Sequence, residues 1–180
     1  MTAPTWQTVI LNAEQVSGVL VPDGNGGERP ARILALDLAT KQPGWCAAEG
    51  HDYLASGDKQ FAGKRAKDRM TAISLWLRAL MDEWCPDWVA IEEPMGDHGN
   101  RHTDRWLGIV VGVAMECAWR AGAEVYLIQP RFVKQTGISK GNTRIAAAWL
   151  GKEKVSGDEA DAAGLWQATT VPAWRGKPMR

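Results

Sequence analysis

The chain has 180 residues, 45 % of them hydrophobic and 23 % charged, and its 21 basic and 21 acidic residues cancel to a net charge of zero. This suits one globular domain with a sizeable core and excludes disordered or fibrous classes. No apolar run reaches the roughly 18 residues of a membrane span, and no basic start leads into an apolar core, so neither a membrane protein nor a secreted one is expected. Three cysteines (Cys46, Cys85, Cys117) are widely spaced with no CxxC. They predict reduced thiols acting as small core hydrophobes in a cytoplasm.

Residues 1–30 read as an N-terminal extension. Thr8 to Leu11 suggest a short strand, and Pro22-Asp23-Gly24-Asn25-Gly26-Gly27 has the composition of a flexible linker. A strongly apolar strand follows at Arg32 to Leu38. Its alternation puts Leu34, Leu36 and Leu38 on one face and Ile33, Ala35 and Asp37 on the other. A carboxylate on such a strand is costly unless a cation or hydrogen bonds compensate, and taken alone Asp37 reads as an acid at the start of a turn. Gly44 to Ala48 and Tyr53 to Phe61 complete an antiparallel meander.

Met70, Ile73, Leu77, Leu80, Met81 and Trp84 recur at helical spacing, and Pro86 ends that helix. Asp87 to Ile91 is a short buried strand running into Glu92-Glu93-Pro94, with Glu92 on the face of Trp88 and Ala90. A polar loop from Met95 to Thr103 carries His98 and His102, without the further Cys or His spacing that zinc requires. The next helix runs from Asp104 to about Ala121. Its Gly108 and Gly112 imply a close approach to a sheet or a partner helix, because each costs about 1 kcal/mol relative to Ala. Glu124 to Ile128 is a strand, and short helices are expected over 130–136, 143–150 and 158–169. Alternating elements of these lengths predict an α/β layer with a mixed sheet.

Charge is unevenly placed. Residues 129–154 hold six basic side chains against one acid, a net of +5, and residues 59–69 hold five against one, a net of +4. Such clusters suit a phosphate-binding face, and equally a solvated helix surface. The segment 171–180 reads as a basic tail.

The stretch Ser156-Gly157-Asp158-Glu159-Ala160-Asp161 joins a helix start to two acids on one face. Ser156 and Glu159 fit a capping box. Asp161 is not explained by capping, since it faces Asp158 within an otherwise apolar helix, a mildly destabilising pair unless a cation lies between them. If the strands ending in Asp37 and Glu92 lie side by side and this helix crosses their ends, four carboxylates share one cleft. They cannot all ionise without cations, and Mg²⁺ is the oxygen-seeking ion that suits them. Two ions roughly 3.5–4 Å apart would activate a water and stabilise the leaving oxygen of a phosphodiester.

Leu34-Ala35-Leu36-Asp37 with Gly44-Trp45, Val89-Ala90-Ile91-Glu92 and Asp158-Glu159-Ala160-Asp161-Ala162 together resemble the RuvC-type Holliday-junction resolvases of the RNase H-like nuclease superfamily. Leu107-Gly108 with Gly112-Val113, and Val133-Lys134-Gln135-Thr136-Gly137, add to the resemblance, which spans about Ile33 to Gln167. It implies an RNase H-like mixed five-stranded sheet flanked by helices over residues 31–170. It also implies catalytic, metal-binding roles for Asp37, Glu92, Asp158 and Asp161, with two Mg²⁺ ions per site and Mn²⁺ as the alternative. Lys134, with Lys140 or Arg144, matches the phosphate-contacting positions, and Met95 stands where relatives carry an aromatic that stacks on a base. The Gly108/Gly112 helix would lie in a homodimer interface. Leu38-Ala39 replaces the family's usual Pro-Gly, and the divergence is that of a phage-type member.

The function implied is metal-dependent resolution of four-way DNA junctions by paired phosphodiester hydrolysis. The alternatives are a broader fork or flap nuclease of the same fold and a non-catalytic junction-binding protein. An actin-like ATPase would need Gly-rich phosphate loops that the chain lacks.

Overall fold

The structure is a computed structural model and describes residues 19–39, 41–61, 65–94 and 101–179. The expected strand at Thr8 to Leu11 lies outside them. Two short strands, Leu20–Pro22 (β1) and Glu28–Pro30 (β2), pair antiparallel. The Gly-rich stretch between them, flexible by composition, is the loop of this hairpin, tied by Asp23 Oδ1, which accepts the N–H groups of Asn25 and Gly27 at 2.8 and 2.9 Å. Arg29 fixes the hairpin to the body through a two-pronged contact with Asp87, both N···O distances being 2.7 Å.

The central sheet contains Arg32–Asp37 (β3), Gly44–Glu49 (β4), Asp52–Asp58 (β5), Trp88–Glu92 (β6) and Glu124–Ile128 (β7). Its order is β5-β4-β3-β6-β7, with the β3–β4 and β4–β5 pairs antiparallel and the β3–β6 and β6–β7 pairs parallel. This is the expected mixed five-stranded sheet. The helices are Ala66–Trp84 (α1), Arg101–Arg120 (α2), Pro130–Gln135 (α3), Thr143–Trp149 (α4), Gly157–Thr170 (α5) and Pro172–Arg175 (α6), with a 3₁₀ turn at Lys140–Asn142. No helix of the described residues is long and apolar enough to cross a membrane.

Strand alternation sorts the core into two layers. Leu34, Leu36, Val89 and Ile91 pack with Ile73, Leu77, Val110 and Ala114 of α1 and α2. Ile33, Ala35, Cys46, Ala48, Trp88 and Ala90 face the other way and pack with Ala160, Ala162, Ala163 and Leu165 of α5. Many of the side chains in this second layer are small, Ala35, Cys46, Ala48 and Ala90 with Ala160, Ala162 and Ala163, which lets α5 sit close to the strands. A Cβ at Gly44 would come within 2.0 Å of the Asp158 carbonyl oxygen, and one at Gly164 within 2.0 Å of the Ile138 carbonyl oxygen. Helix α5 is therefore buried on nearly every side, touching β3 to β7 and its helical neighbours.

One expectation is narrowed and another corrected. Of the two approaches expected at Gly108 and Gly112, the one to the sheet is not made, since a Cβ at either would meet no atom within 4 Å and both lie exposed on α2. Cys85 is exposed, unlike the buried Cys46 and Cys117, because it ends α1 in a left-handed conformation (φ 42°) that turns the chain out before Pro86. The C-terminal segment packs back on the domain: Trp174 stacks on Phe132 at 5.5 Å, and the Met179 N–H donates to the Val125 carbonyl at 2.7 Å, covering the β7 edge.

Gly44→Ala should push the start of α5 off β4, a backbone clash costing about 1–3 kcal/mol. Urea unfolding measures it, and a variant as stable as wild type would show that the contact relaxes freely.

Candidate active site

Asp37 and Glu92 end adjacent parallel strands. The register pairs Leu36 with Ile91, so the two acids follow abreast, on strands about 4.8 Å apart. Both sit on the face that carries Ile33, Ala35, Trp88 and Ala90, which is the face α5 covers. The N-terminus of α5 passes over this strand end at Gly44, the residue paired with Asp37 on β4. Asp158 and Asp161 are thereby brought beside Asp37, and the four acids form one electrostatic cluster.

That cluster is visible in Asp37 itself. Burial, and then the charges of Asp161, Glu92 and Asp158, push its carboxyl from 3.8 to about 7, with Lys140 opposing. Asp158 is raised as well, by burial first, with Asp161 and Asp58 adding to it against Lys140. Asp161 is 7 % exposed and is held twice by one residue: the Lys140 backbone N–H donates to Oδ1 at 2.7 Å, and the Lys140 ammonium lies 3.1 Å from Oδ2. Lys140 is thus the cation that tolerates the Asp158/Asp161 pair. Its own pKa is raised, chiefly by the hydrogen bond to Asp161.

The basic residues separate. Lys140 joins the acids, whereas Lys134 lines a cavity of about 400 Å³ with Glu93, Pro94, Gln129, Pro130 and Arg131, just past the ends of β6 and β7. Arg144 is exposed on α4 and lines a different cavity, of about 640 Å³, with Ile145, Ala148 and Trp149. Neither Lys134 nor Arg144 is among the charges acting on Asp37. Met95 and His98 lie outside the described residues, as does the side chain of His102.

Two features escaped the sequence. Asp58 ends β5 opposite Gly44 and bears on Asp158; the register of the meander, had it been fixed, would have pointed to it. Glu159 makes only half of the expected capping box. Its N–H donates to Ser156 Oγ at 3.1 Å, but its carboxylate turns to Ser56 and Lys152.

An all-carboxylate donor set suits hard divalent cations, and the mutual repulsion that raises Asp37 is what a cation among the four acids would relieve. Among the described residues no group of three or more His, Cys, Asp or Glu side chains is arranged to hold a metal as it stands. The Lys140 ammonium supplies positive charge there instead.

No family model and no curated protein matches the sequence. Solved structures do. A Thermus thermophilus RuvC in complex with Holliday junction substrate superposes with a TM-score of 0.67 at 19 % identity, over 83 % of this chain and 99 % of that one. A second Thermus thermophilus RuvC structure gives 0.63 at 20 % identity, over 82 % and 99 %. The yeast mitochondrial Holliday junction resolvase Ydc2 gives 0.56 at 12 % identity, over 78 % and 80 %. The fold of this chain is that of the RuvC-type resolvases.

The raised Asp37 pKa carries a sign. Between pH 3.8 and about 7 the folded chain holds a proton that the unfolded chain has released, so stability falls as pH rises through that window. In chelator, the wild-type Tm should fall between pH 5 and pH 8, and Asp37→Asn should flatten the decline. Mg²⁺ at pH 8 should raise the wild-type Tm and leave the variant nearly unmoved. A flat wild-type profile would remove the repulsion argument.

Proposed function

We propose that this chain is a divalent-metal-dependent endonuclease that cuts branched DNA, the four-way junction above all, by hydrolysis of phosphodiester bonds. The observation that carries the proposal is the Asp37 carboxyl raised to about 7 by burial and three neighbouring carboxylates, at the ends of two parallel strands under one helix. The RuvC-type fold supports the same activity class.

Asp37, Glu92, Asp158 and Asp161 are the residues that would hold the ions. Bound there, Mg²⁺ or Mn²⁺ supplies a water of lowered pKa and a Lewis acid for the leaving oxygen. The chain's own part is to fix the four acids on rigid elements and to keep the strand end apolar behind them. Lys140, whose ammonium lies 3.1 Å from Asp161, would contribute a cation near the scissile phosphate. Lys134 and Arg131, past β7, would receive the flanking strand, since cations beside a cleft position a polynucleotide through its phosphates. Arg144 would lie further along that strand, and Met95 would take the place of the stacking aromatic.

Paired cuts require two such sites related by a twofold axis. The exposed α2 face with Gly108, Ile109 (51 % exposed) and Gly112 is the surface proposed to pair, its glycines open for a second helix to approach. Ile109→Glu should give a monomer by analytical ultracentrifugation, with nicks no longer paired; a dimer unaffected by the change would exclude this face.

Purified protein incubated with a synthetic four-way junction, a fork, a flap and a duplex, in Mg²⁺, Mn²⁺ or chelator, tests the function. Symmetric metal-dependent nicks confined to the junction are expected. Asp37→Asn or Asp161→Asn should lower the rate to below about one-thousandth while junction binding persists. Equal cutting of fork and flap would broaden the substrate, and binding without cutting in either metal would make the chain a junction binder.

A further inference from the structure

A second polar cluster lies beside α5 at Ser56, two residues before Asp58 on β5. Glu159, 6 % exposed, accepts from Ser56 Oγ of β5 at 2.6 Å and from the Lys152 ammonium at 2.5 Å. Lys152 also donates to the Ser56 carbonyl and hydroxyl, both at 2.9 Å, and lies 5.9 Å from the centre of the Tyr53 ring. Tyr53 Oη and Ser56 Oγ are 3.0 Å apart. A serine beside a lysine invites a nucleophilic reading, but this lysine is not free to take a proton. Burial alone would lower its pKa; hydrogen bonds to Glu159 and Tyr53 outweigh that and leave it raised, so the cation persists.

We propose that Glu159, Lys152 and Ser56 form a clamp that fixes the rotation of α5 about its axis and so positions Asp158 and Asp161 against Asp37. The inference rests on the function proposed above and adds positioning residues to it. Successive helical residues are about 100° apart, so Glu159 points well away from the line joining the two acids. Trp166, whose indole N–H donates to the Gly50 carbonyl at 3.1 Å, and Leu165 hold α5 further along, but nearer its start the packed side chains are small, Ala160, Ala162 and Ala163 with Ala35, Cys46, Ala48 and Ala90. Small side chains permit close approach and offer few ridges to lock the helix. A roll of about 10° would carry a carboxylate about 6 Å from the axis by about 1 Å, beyond the roughly 0.5 Å that a working site tolerates. Pairing with Lys152 also keeps the Glu159 charge compensated next to an already crowded set of acids.

The test uses the full chain with E159Q, K152M, S56A and the double variant E159Q/K152M, in junction cutting with Mg²⁺. The expected result for E159Q and K152M is a kcat lower by about tenfold or more, with KM and chelator-state junction binding within twofold of wild type, and a higher Mg²⁺ concentration for half-maximal rate. K152M should lose more than the double variant, because it leaves a buried carboxylate unpaired and the double variant does not. Cooperative melting identifies the folded variants, and S56A, which changes no charge, carries the test should E159Q fail to fold. A kcat within twofold of wild type in folded E159Q or S56A overturns the clamp, as does a loss shared equally by kcat and junction binding. A wild type that cuts no branched DNA overturns the proposed function with it; a wild type that cuts while its variants match it overturns the clamp alone.

Discussion

Helix α5 brings Asp158 and Asp161 up to Asp37 and Glu92 only because it lies close to the sheet. At Gly44 the helix backbone occupies the space that any other residue's Cβ would need. Behind that contact many of the packed side chains are alanine and cysteine, Ala35, Cys46, Ala48 and Ala90 with Ala160, Ala162 and Ala163, which lets the helix lie close. Were this layer built of leucine, as the opposite layer is, the Asp158 and Asp161 carboxylates would stand further from Asp37 and Glu92. The asymmetry between the two faces of β3 therefore decides where the acids stand as well as how the core packs.

That proximity brings an electrostatic cost, met locally. Four carboxylates gather at one strand end, and the chain answers in two ways. Asp37 takes up a proton until about pH 7, and Lys140 reaches Asp161 with both its backbone N–H and its ammonium. Neither device is permanent, because a proton and a lysine side chain can both give way to a divalent cation, whereas a buried apolar substitute could not. The second ion pair, Lys152 with Glu159, is of another kind: it ties α5 to β5 through Ser56 and to the segment after α4, beside the Trp166 hydrogen bond to the Gly50 carbonyl.

The separation of basic residues has a similar logic. Lys140 is drawn to the acids by the 3₁₀ turn that precedes α4, while Arg131 and Lys134 stay past β7. One cation compensates the acids and the others line a surface. Net charge, which is zero, conceals this division completely.

The sequence alone located the five strands of the central sheet, the longer helices and the four acids that gather, because alternation and helical spacing are local properties of the chain; the β1–β2 hairpin and the short α6, in segments read as a linker and a tail, were not legible. The faces were legible too: Asp37 was assigned to the side of Ile33 and Ala35, and Glu92 to the side of Trp88 and Ala90, as found. What only the tertiary structure decided were the partnerships across distant segments. Glu159 read as a capping residue because Ser156 is three residues away, while Ser56, its actual partner, is 103 residues away. Gly108 and Gly112 read as contact points because glycine in a helix is costly, yet the contact made within the chain is at Gly44 and Gly164. Spacing reports which groups share a face; it carries no information on which remote backbone or charge that face will meet, and those meetings set the depth of α5, the pKa of Asp37 and the cation at Asp161.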